Sequence, residues 1–478
     1  MKIHLRTFGC RANHYDSEAV RALALNAGHE IVDDATDADV AVFNSCAVTS
    51  EAERDVRKAV RRAAARNPRL RSVVMGCAAA LPESQPTLRA LPSVELVSPG
   101  AELDGIAKIL CHPEAGAREA GVEGSADSGH PEPGARAAGV EGSAVAQLPI
   151  PRFARNDSLT HHQTSVRAVL RIQDGCDEHC TFCATTLARG ANRSRSVEDL
   201  VREALLLSEH HPEIVLTGTH IGAYGADIDS SLGDLVRELV ERVPRVRLRL
   251  SSIEATEVDD QLFELLVSDG LRVAPHLHAP LQSGSDRMLR RMGRHWYTSG
   301  SYARAIERLA SRLFVFGLGA DVIVGFPGET DEDFAATVAL VERLPFTYLH
   351  VFSYSPRPGT SATRLPDHVP LALAQQRSAH LRHLGEAKGK AYRLARAGTR
   401  ADAIVISAAP EREALTEDYL SLPLRGDARP RGDRFAARVE AEGDALVLTC
   451  HPDPFVIPSE ARNLQFRTAD PSSLRSSG

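Results

Sequence analysis

Short apolar runs alternate with amphipathic stretches over most of this chain. Near its start, Lys2–Phe8, Val40–Asn44 and Ser72–Met75 read as strands, since their apolar runs are too short for a core helix. Ser17–Asn26 and Ser50–Ala65 carry helical spacing, the second opened by a Ser50-x-x-Glu53 capping box. This alternation predicts a small parallel sheet with helices on both faces. It resumes at Val166, with strands at Ala168–Ile172, Ile214–Thr217, Arg247–Leu250, His276–Leu281, Ala320–Val324 and Leu349–Phe352. Helical segments separate them, among them Val197–Ser208, Gln261–Ser268, Tyr302–Arg312 and Glu332–Glu342. Six such units predict a partial (β/α)6 barrel whose active site lies at the strand carboxyl ends. Residues 401–449 switch to short strands with polar turns, at Ala403–Ile406, Tyr419–Pro423, Phe435–Glu440 and Ala445–Thr449. The predicted class is α/β, with units at 1–110, 161–396 and 397–450, the last a small β-barrel-like domain.

Two segments break the pattern. His112–Gly129 is nearly repeated as His130–Gln147, rich in Gly, Ala, Glu and Pro. Two copies without an apolar face make no solenoid, so 111–160 is expected to be a disordered linker. Cys111-His112-Pro113-Glu114 resembles Cys450-His451-Pro452-Asp453, and both cysteines are expected to be free thiols outside the working fold. Disorder is expected again over the tail, 451–478.

Composition narrows the class. Hydrophobic residues at 43% and charged residues at 25% describe an ordinary globular chain. No apolar run reaches membrane-spanning length, and Met1–His4 opens a strand, not a signal peptide. Eight cysteines, six with ligand-like placement, suit a reducing compartment, so a cytoplasmic protein is expected. The net charge of −7 argues against a wholly basic nucleic-acid-binding surface but leaves local patches open.

Chemistry concentrates in the cysteines. Cys176, Cys180 and Cys183 form Cys-x3-Cys-x2-Cys directly after the first barrel strand. Three thiolates so spaced can hold three corners of a [4Fe–4S] cluster, leaving one iron open to chelate S-adenosylmethionine (SAM) for reductive cleavage. Structural zinc wants four closed ligands, and no second Cys-x2-Cys exists here. In the first unit every strand ends in a cysteine: Gly9-Cys10, Ser45-Cys46 and Gly76-Cys77. Dispersed cysteines are often just small hydrophobes, but the carboxyl edge of a parallel sheet gathers these three, the layout of a second [4Fe–4S] site.

Other strand ends suit a SAM pocket. Gly218, in Thr217–His220, is placed for the methionyl amine, Glu254 for a ribose hydroxyl, and Val324, in Asp321–Gly328, for adenine. Arg189, Arg193 and Arg195 are candidates for phosphate or the SAM carboxylate, and Arg193 and Arg195 for a substrate carboxylate. His276 and His278 share a strand face, as ligands or as packed barrel-interior histidines. Basic residues at helical spacing between Arg54 and Arg66, and between Arg377 and Arg400, are solvated faces or RNA contacts.

With these residues in view, the chain resembles the radical-SAM methylthiotransferase family. The resemblance rests on Thr7–Asn13, Asn44–Thr49, Met75–Ala78, Ile172–Cys176, Ala188-Arg189-Gly190, Arg193–Ser196, Pro280–Ser285 and Gly325–Thr330. One departure is Ala184–Leu187, where the family's usual Ile-Ile/Val-Pro-Tyr/Ser is absent. The resemblance implies two [4Fe–4S] clusters and SAM, with Cys10, Cys46 and Cys77 at a sulfur-carrying cluster and Cys176, Cys180 and Cys183 at the radical-generating one. One SAM would methylate the carried sulfur; a second would yield the radical that removes hydrogen from C2 of an adenine. It also implies tRNA as substrate and an electron donor such as flavodoxin or ferredoxin, and leaves the sulfur donor unknown. The Ile-Gln-Asp-Gly-Cys and Arg-Ser-Arg-Ser runs look most like the branch acting on N6-threonylcarbamoyladenosine at position 37, beside the anticodon. The alternatives are isopentenyladenosine tRNA, a ribosomal-protein aspartate, or a metal-stabilised RNA-binding protein without turnover. Leu415–Tyr419 is similar to the signature of the family's small RNA-binding barrel, the TRAM domain.

Overall fold

The computed structural model describes residues 1–47, 50–100, 103–111, 163–268, 272–408, 410, 412–426, 429–443 and 445–450. The near-repeat at 112–147, the tail from His451 and the side chains of Ser50 and Cys111 lie outside the described residues.

The first unit is a five-stranded parallel sheet of order β2-β1-β3-β4-β5, made of β1 (Lys2–Thr7), β2 (Glu30–Val32), β3 (Val40–Ser45), β4 (Arg71–Gly76) and β5 (Val94–Val97). Side-chain alternation along β3 explains the two-sided packing. Val40 and Val42 meet α1 (Arg11–Asn26) and α5 (Leu103–Cys111) through Val20, Leu23, Ile106 and Leu110. Ala41 and Phe43 meet α2 (Ser50–Arg66) and α4 (Gln85–Arg89) through Val56, Val60 and Leu88, while α3 (Cys77–Ala80) caps β4. The edge strands β2 and β5 escape the sequence pattern because each is short, half-exposed and interrupted by charge at Glu30 or Glu95.

The second unit contains all six predicted barrel strands: β6 (Ala168–Arg171), β9 (Glu213–Thr217), β10 (Arg247–Leu250), β11 (His276–His278), β12 (Gly317–Val324) and β13 (Tyr348–Ser353). Two three-stranded parallel sheets join through bridges at Leu248–Val273 and Ser252–His278 into one arc, β6-β9-β10-β11-β12-β13. Helices α7 (Val197–Ser208), α8 (Leu232–Arg242), α9 (Asp260–Ser268), α10 (Asp286–Arg291), α11 (Ser299–Ala310), α12 (Asp331–Arg343) and α13 (Leu371–Arg396) accompany the strands. Leu170, Leu216, Leu248, Leu277, Leu318 and Val322 belong to the hydrophobic layer under the helices. Alternate residues, Arg171, Glu213, Arg249, His278, Asp321 and His350, therefore point into the lumen. A short antiparallel pair, β7 (Gln173–Asp174) with β8 (Arg193–Ser194), brackets the cysteine loop and α6 (Thr185–Arg189).

The third unit is an antiparallel sheet of order β16-β15-β14-β17-β18, from β14 (Arg400–Val405), β15 (Glu413–Leu415), β16 (Ser421–Pro423), β17 (Arg434–Glu442) and β18 (Ala445–Cys450). A bridge between Leu424 and Leu448 brings its edges together, so the sheet curls. The predicted strand Tyr419–Pro423 is corrected: it begins at Ser421, and Tyr419 sits in a turn with φ of 75°. Leu420 N–H donates to Thr416 Oγ1 at 2.9 Å and closes that turn, which accounts for the lost strand residues.

This turn seats the third unit on the barrel. Glu213 is fully buried and accepts from Arg247 Nε at 2.6 Å and Arg249 Nε at 2.9 Å. Their remaining donors cross the boundary: Arg247 to Asp402, at 2.6 Å to its carbonyl, and Arg249 to the carbonyls of Glu417 (3.0 Å) and Thr416 (3.2 Å). Burial would raise the Glu213 carboxyl, but Arg249 and Arg247 outweigh it and hold it well below the usual range. A carboxylate so depressed stabilises the fold above its unfolded pKa, and that contribution fades as pH falls. Glu213→Gln, which leaves buried Arg249 without its anion and Arg247 with Asp402 alone, should cost about 3–5 kcal/mol. It should also flatten the acid limb of stability, measured as denaturation midpoint against pH; a loss below about 1 kcal/mol would place the docking energy elsewhere.

Candidate active site

The parallel sheet delivers the first three cysteines to one edge. Cys10 follows β1 and precedes α1, Cys46 follows β3, and Cys77 opens α3 after β4. Asn13, one turn into α1, ties them together. Its Nδ2 donates to the carbonyls of Phe8 (2.9 Å) and Ser45 (2.8 Å), and its Oδ1 lies 3.9 Å from Cys10 Sγ and 3.7 Å from Cys77 Sγ. Gly9 has φ of 103°, and a Cβ there would come within 2.7 Å of Cys46 Cβ and 2.8 Å of its Sγ. Only glycine leaves room for this approach.

Cys176, Cys180 and Cys183 occupy the loop between β7 and α6, half-buried and unbridged. Cys176 Sγ faces His220 Nδ1 at 3.7 Å, Cys180 Sγ accepts from Arg294 Nη1 at 3.3 Å, and Cys183 Sγ lies 3.1 Å from Thr185 Oγ1. Gly175, with φ of 77°, lets this loop cross the backbone at Ala191.

A buried arginine ties the first set to Asp174, just before the second cysteine loop. Arg189, at the end of α6, donates Nε to Cys77 Sγ at 3.2 Å, Nη2 to Asn13 Oδ1 at 2.9 Å and Asp16 at 3.0 Å, and Nη1 to Asp174 at 2.9 Å. Around it α3 packs on α6 through Cys77, Ala78, Ala184 and Ala188. Ala184, the first residue of the divergent Ala184–Leu187 stretch, thus serves a close helix contact.

The donor set fits iron–sulfur clusters. Each triad contains one thiol that burial pushes up to about 12, Cys77 and Cys180, and each of these has an arginine opposing the shift. Such thiols stay protonated until a metal competes for the sulfur, and the arginine then offsets the thiolate charge. Glycine rather than a side chain at position 9 leaves the first cradle clear.

The remaining nominated residues divide. Glu254, expected at a ribose hydroxyl, is bonded by Arg294 and Trp296 and forms part of a chain Trp296–Glu254–Arg294–Cys180. Beside Gly218, Gln173 Oε1 accepts from the backbone N–H of Thr219 (3.0 Å) and His220 (2.9 Å), leaving fewer free donors in that turn than its sequence suggested. Val324 ends β12, buried, with its carbonyl accepting from Tyr354 N–H at 2.8 Å. Arg195 is buried and engaged with Glu203 at 2.7 Å, the Arg171 carbonyl at 3.0 Å and Tyr15 at 3.3 Å. Arg193 lies 3.9 Å from Asp174 and donates to the Arg189 carbonyl at 3.3 Å. Neither arginine presents the open cation its sequence position suggested, because both face carboxylates brought in by the fold.

His276 and His278 line the lumen and share the Tyr348 hydroxyl at 2.9 and 3.2 Å. Asp321 accepts from His278 at 2.9 Å and from His350 at 3.2 Å; burial would raise its carboxyl, and the two histidines hold it well below the usual range. Sequence reading missed Asn13, Gln173, Arg294 and Trp296 as site residues. Asn13 lies inside a motif run that pointed to it; for Arg294 and Trp296, on the loop after α10, no spacing signal exists. In the α13 basic series, Arg377 pairs with Glu329 and Asp331 and Arg396 with Asp418. Arg382, Lys390 and Arg393 instead line a groove of about 960 Å³ running along β13 to Ser421–Pro423 and Leu446.

Among the described residues no helix is long and apolar enough to cross a membrane. Residues 2–98 match the Uncharacterized protein family UPF0004, and residues 170–341 match the Radical SAM superfamily. The chain is 33% identical to the threonylcarbamoyladenosine tRNA methylthiotransferase of Aquifex aeolicus, over 89% of this chain and 97% of that one. It is 35% identical to the enzyme of the same name from Bacillus subtilis, over 82% of this chain and 81% of that one. A tRNA-2-methylthio-N(6)-dimethylallyladenosine synthase of Acidithiobacillus ferrooxidans is 34% identical over 86% of this chain and 87% of its own. In fold the chain is similar to a radical S-adenosylmethionine methyltransferase from Kitasatospora setae, with a TM-score of 0.50, 15% identity and 76% of each chain covered. The two cysteine triads, the two matched domains and relatives aligned over four fifths or more of their length lead to one conclusion: the chain belongs to the radical-SAM methylthiotransferase family, enzymes dependent on SAM and [4Fe–4S] clusters.

Proposed function

We propose that this enzyme installs a methylthio group at C2 of an adenosine in tRNA, and that the adenosine carries an N6-threonylcarbamoyl group. The observation that carries the reaction is the junction at Arg189, which brings a three-cysteine sheet edge against the radical-SAM cysteine loop. In this reading Cys10, Cys46 and Cys77 hold one [4Fe–4S] cluster and Cys176, Cys180 and Cys183 the other. When bound, these groups supply a sulfur carrier and the reductive cleavage of SAM. Arg189 and Arg294 each place a cation on one thiolate of a triad, which favours the ionised, ligating form. The groove with Arg382, Lys390 and Arg393 supplies positive charge for RNA phosphates. The substrate branch is supported by the names of the Aquifex and Bacillus relatives and by the two branch-like runs, which pair here as β7 and β8. The Acidithiobacillus relative, at similar identity, bears the name of the other tRNA branch.

Cys180→Ala is expected to abolish formation of 5′-deoxyadenosine, and normal production would sink the role of this loop. Cys10→Ala should still cleave SAM yet form no methylthio product; full product formation would make the sheet-edge cysteines structural. For the substrate, single-turnover reactions with threonylcarbamoyladenosine tRNA and isopentenyladenosine tRNA are compared under identical conditions. Methylthiolation of the first alone is expected, and equal or reversed preference would refute the branch.

A further inference from the structure

We infer that Arg11 is the cation that receives the carboxylate of the substrate's N6 substituent, an inference that rests on the substrate reading above. Arg11 is the first residue of α1 and follows Cys10, so its backbone is pinned at the sulfur-carrying edge. Its half-buried side chain donates Nη2 to the Tyr419 hydroxyl at 3.0 Å, with the guanidinium 5.9 Å from that ring's centre. Tyr419 packs on His276, with ring centres 4.5 Å apart, and on Tyr348 at 6.0 Å. Arg11 therefore reaches the aromatic wall of the barrel lumen.

The charge around it is unbalanced. Arg167 and Arg249 also approach the Tyr419 ring, but both are answered by Glu213. The buried arginines near the cysteines are likewise paired, with Asp16, Asp174 or Glu203. Among the described residues no carboxylate meets Arg11. Burial, with Arg249 and Arg11, keeps His276 well below its usual range, so the neighbouring ring is neutral and competes for no anion. A guanidinium carries five donors in a planar fork matched to a carboxylate, and here the hydroxyl of Tyr419 engages only one end of it.

A base substituent suits this place better than a phosphate. The wall is aromatic and partly enclosed, and it adjoins the cysteine that the sulfur-carrying role requires, where C2 of the base must come. An apolar isopentenyl group there would strip water from Arg11 without replacing its partner, so the same residue attracts one substrate and rejects the other. Tyr419 is then a positioning residue, held at positive φ by the turn of the third unit.

The test uses the reconstituted full-length enzyme and two anticodon stem-loop RNAs, one with threonylcarbamoyladenosine and one in which its carboxylate is a carboxamide. The wild type should favour the carboxylate in kcat/KM by about tenfold or more. In Arg11→Met that ratio should collapse towards one, in Arg11→Lys a reduced preference should survive, and Tyr419→Phe should fall between. A wild-type ratio retained in Arg11→Met, or equal losses on both RNAs, as a phosphate contact or a structural role would give, overturns the inference. Iron content of each variant reports whether the fold is intact; should Arg11→Met lose iron, the Arg11→Lys ratio decides. A wild type that modifies only isopentenyladenosine RNA refutes the substrate reading itself, before any variant is compared.

Discussion

One buried guanidinium determines how the first two units meet. Arg189 touches a sheet-edge thiol, an asparagine and two carboxylates contributed by both units, all of them buried except the partly exposed Asp174. An ion buried this deeply is tolerated only when its donors are satisfied, and that needs one relative placement of α1, β7 and α6. Asp16 is shared with Arg171, whose guanidinium lies over Tyr15, so the same face of α1 is clamped to the first barrel strand as well. Apolar contact between Ala and Cys side chains at α3 and α6 would permit sliding; the directional bonds do not.

The lumen extends this principle. In an ordinary parallel barrel, layers of branched aliphatics fill the interior. Here the interior carries arginine, glutamate, histidine, aspartate and tyrosine, while the aliphatic mass sits between strands and helices. The amino end of the lumen is closed by ion pairs around Glu213 and by the turn at Thr416–Leu420. Histidine and tyrosine rings pack against one another above this floor, so the interior is lined by polar and aromatic side chains rather than aliphatic layers.

Much of this was legible in the chain. The six barrel strands declared themselves because parallel strands covered by helices need apolar residues, and Ile214–Thr217 or Ala320–Val324 supply them. The cysteine triads were legible from spacing in one case and from their shared position after strands in the other. What stayed hidden depends on partners distant in sequence. Arg195 looks like an open cation until Glu203 and Tyr15 are folded against it, and Arg294 gives no sign of approaching Cys180. Tyr419 read as a strand residue because aromatic residues favour strands, yet the Thr416 turn and its packing against His276 override that preference.

The seating of the third unit also sets a length scale. A small domain on a loose tether samples a cloud of positions, and its grip adds only to local concentration. This one is socketed by Arg247, Arg249 and Arg396, so the groove beside β13 stands at a constant offset from both cysteine sets. An RNA strand gripped there would present a base to the lumen at one register along its backbone. The same arginines that keep the fold together would then act as a ruler.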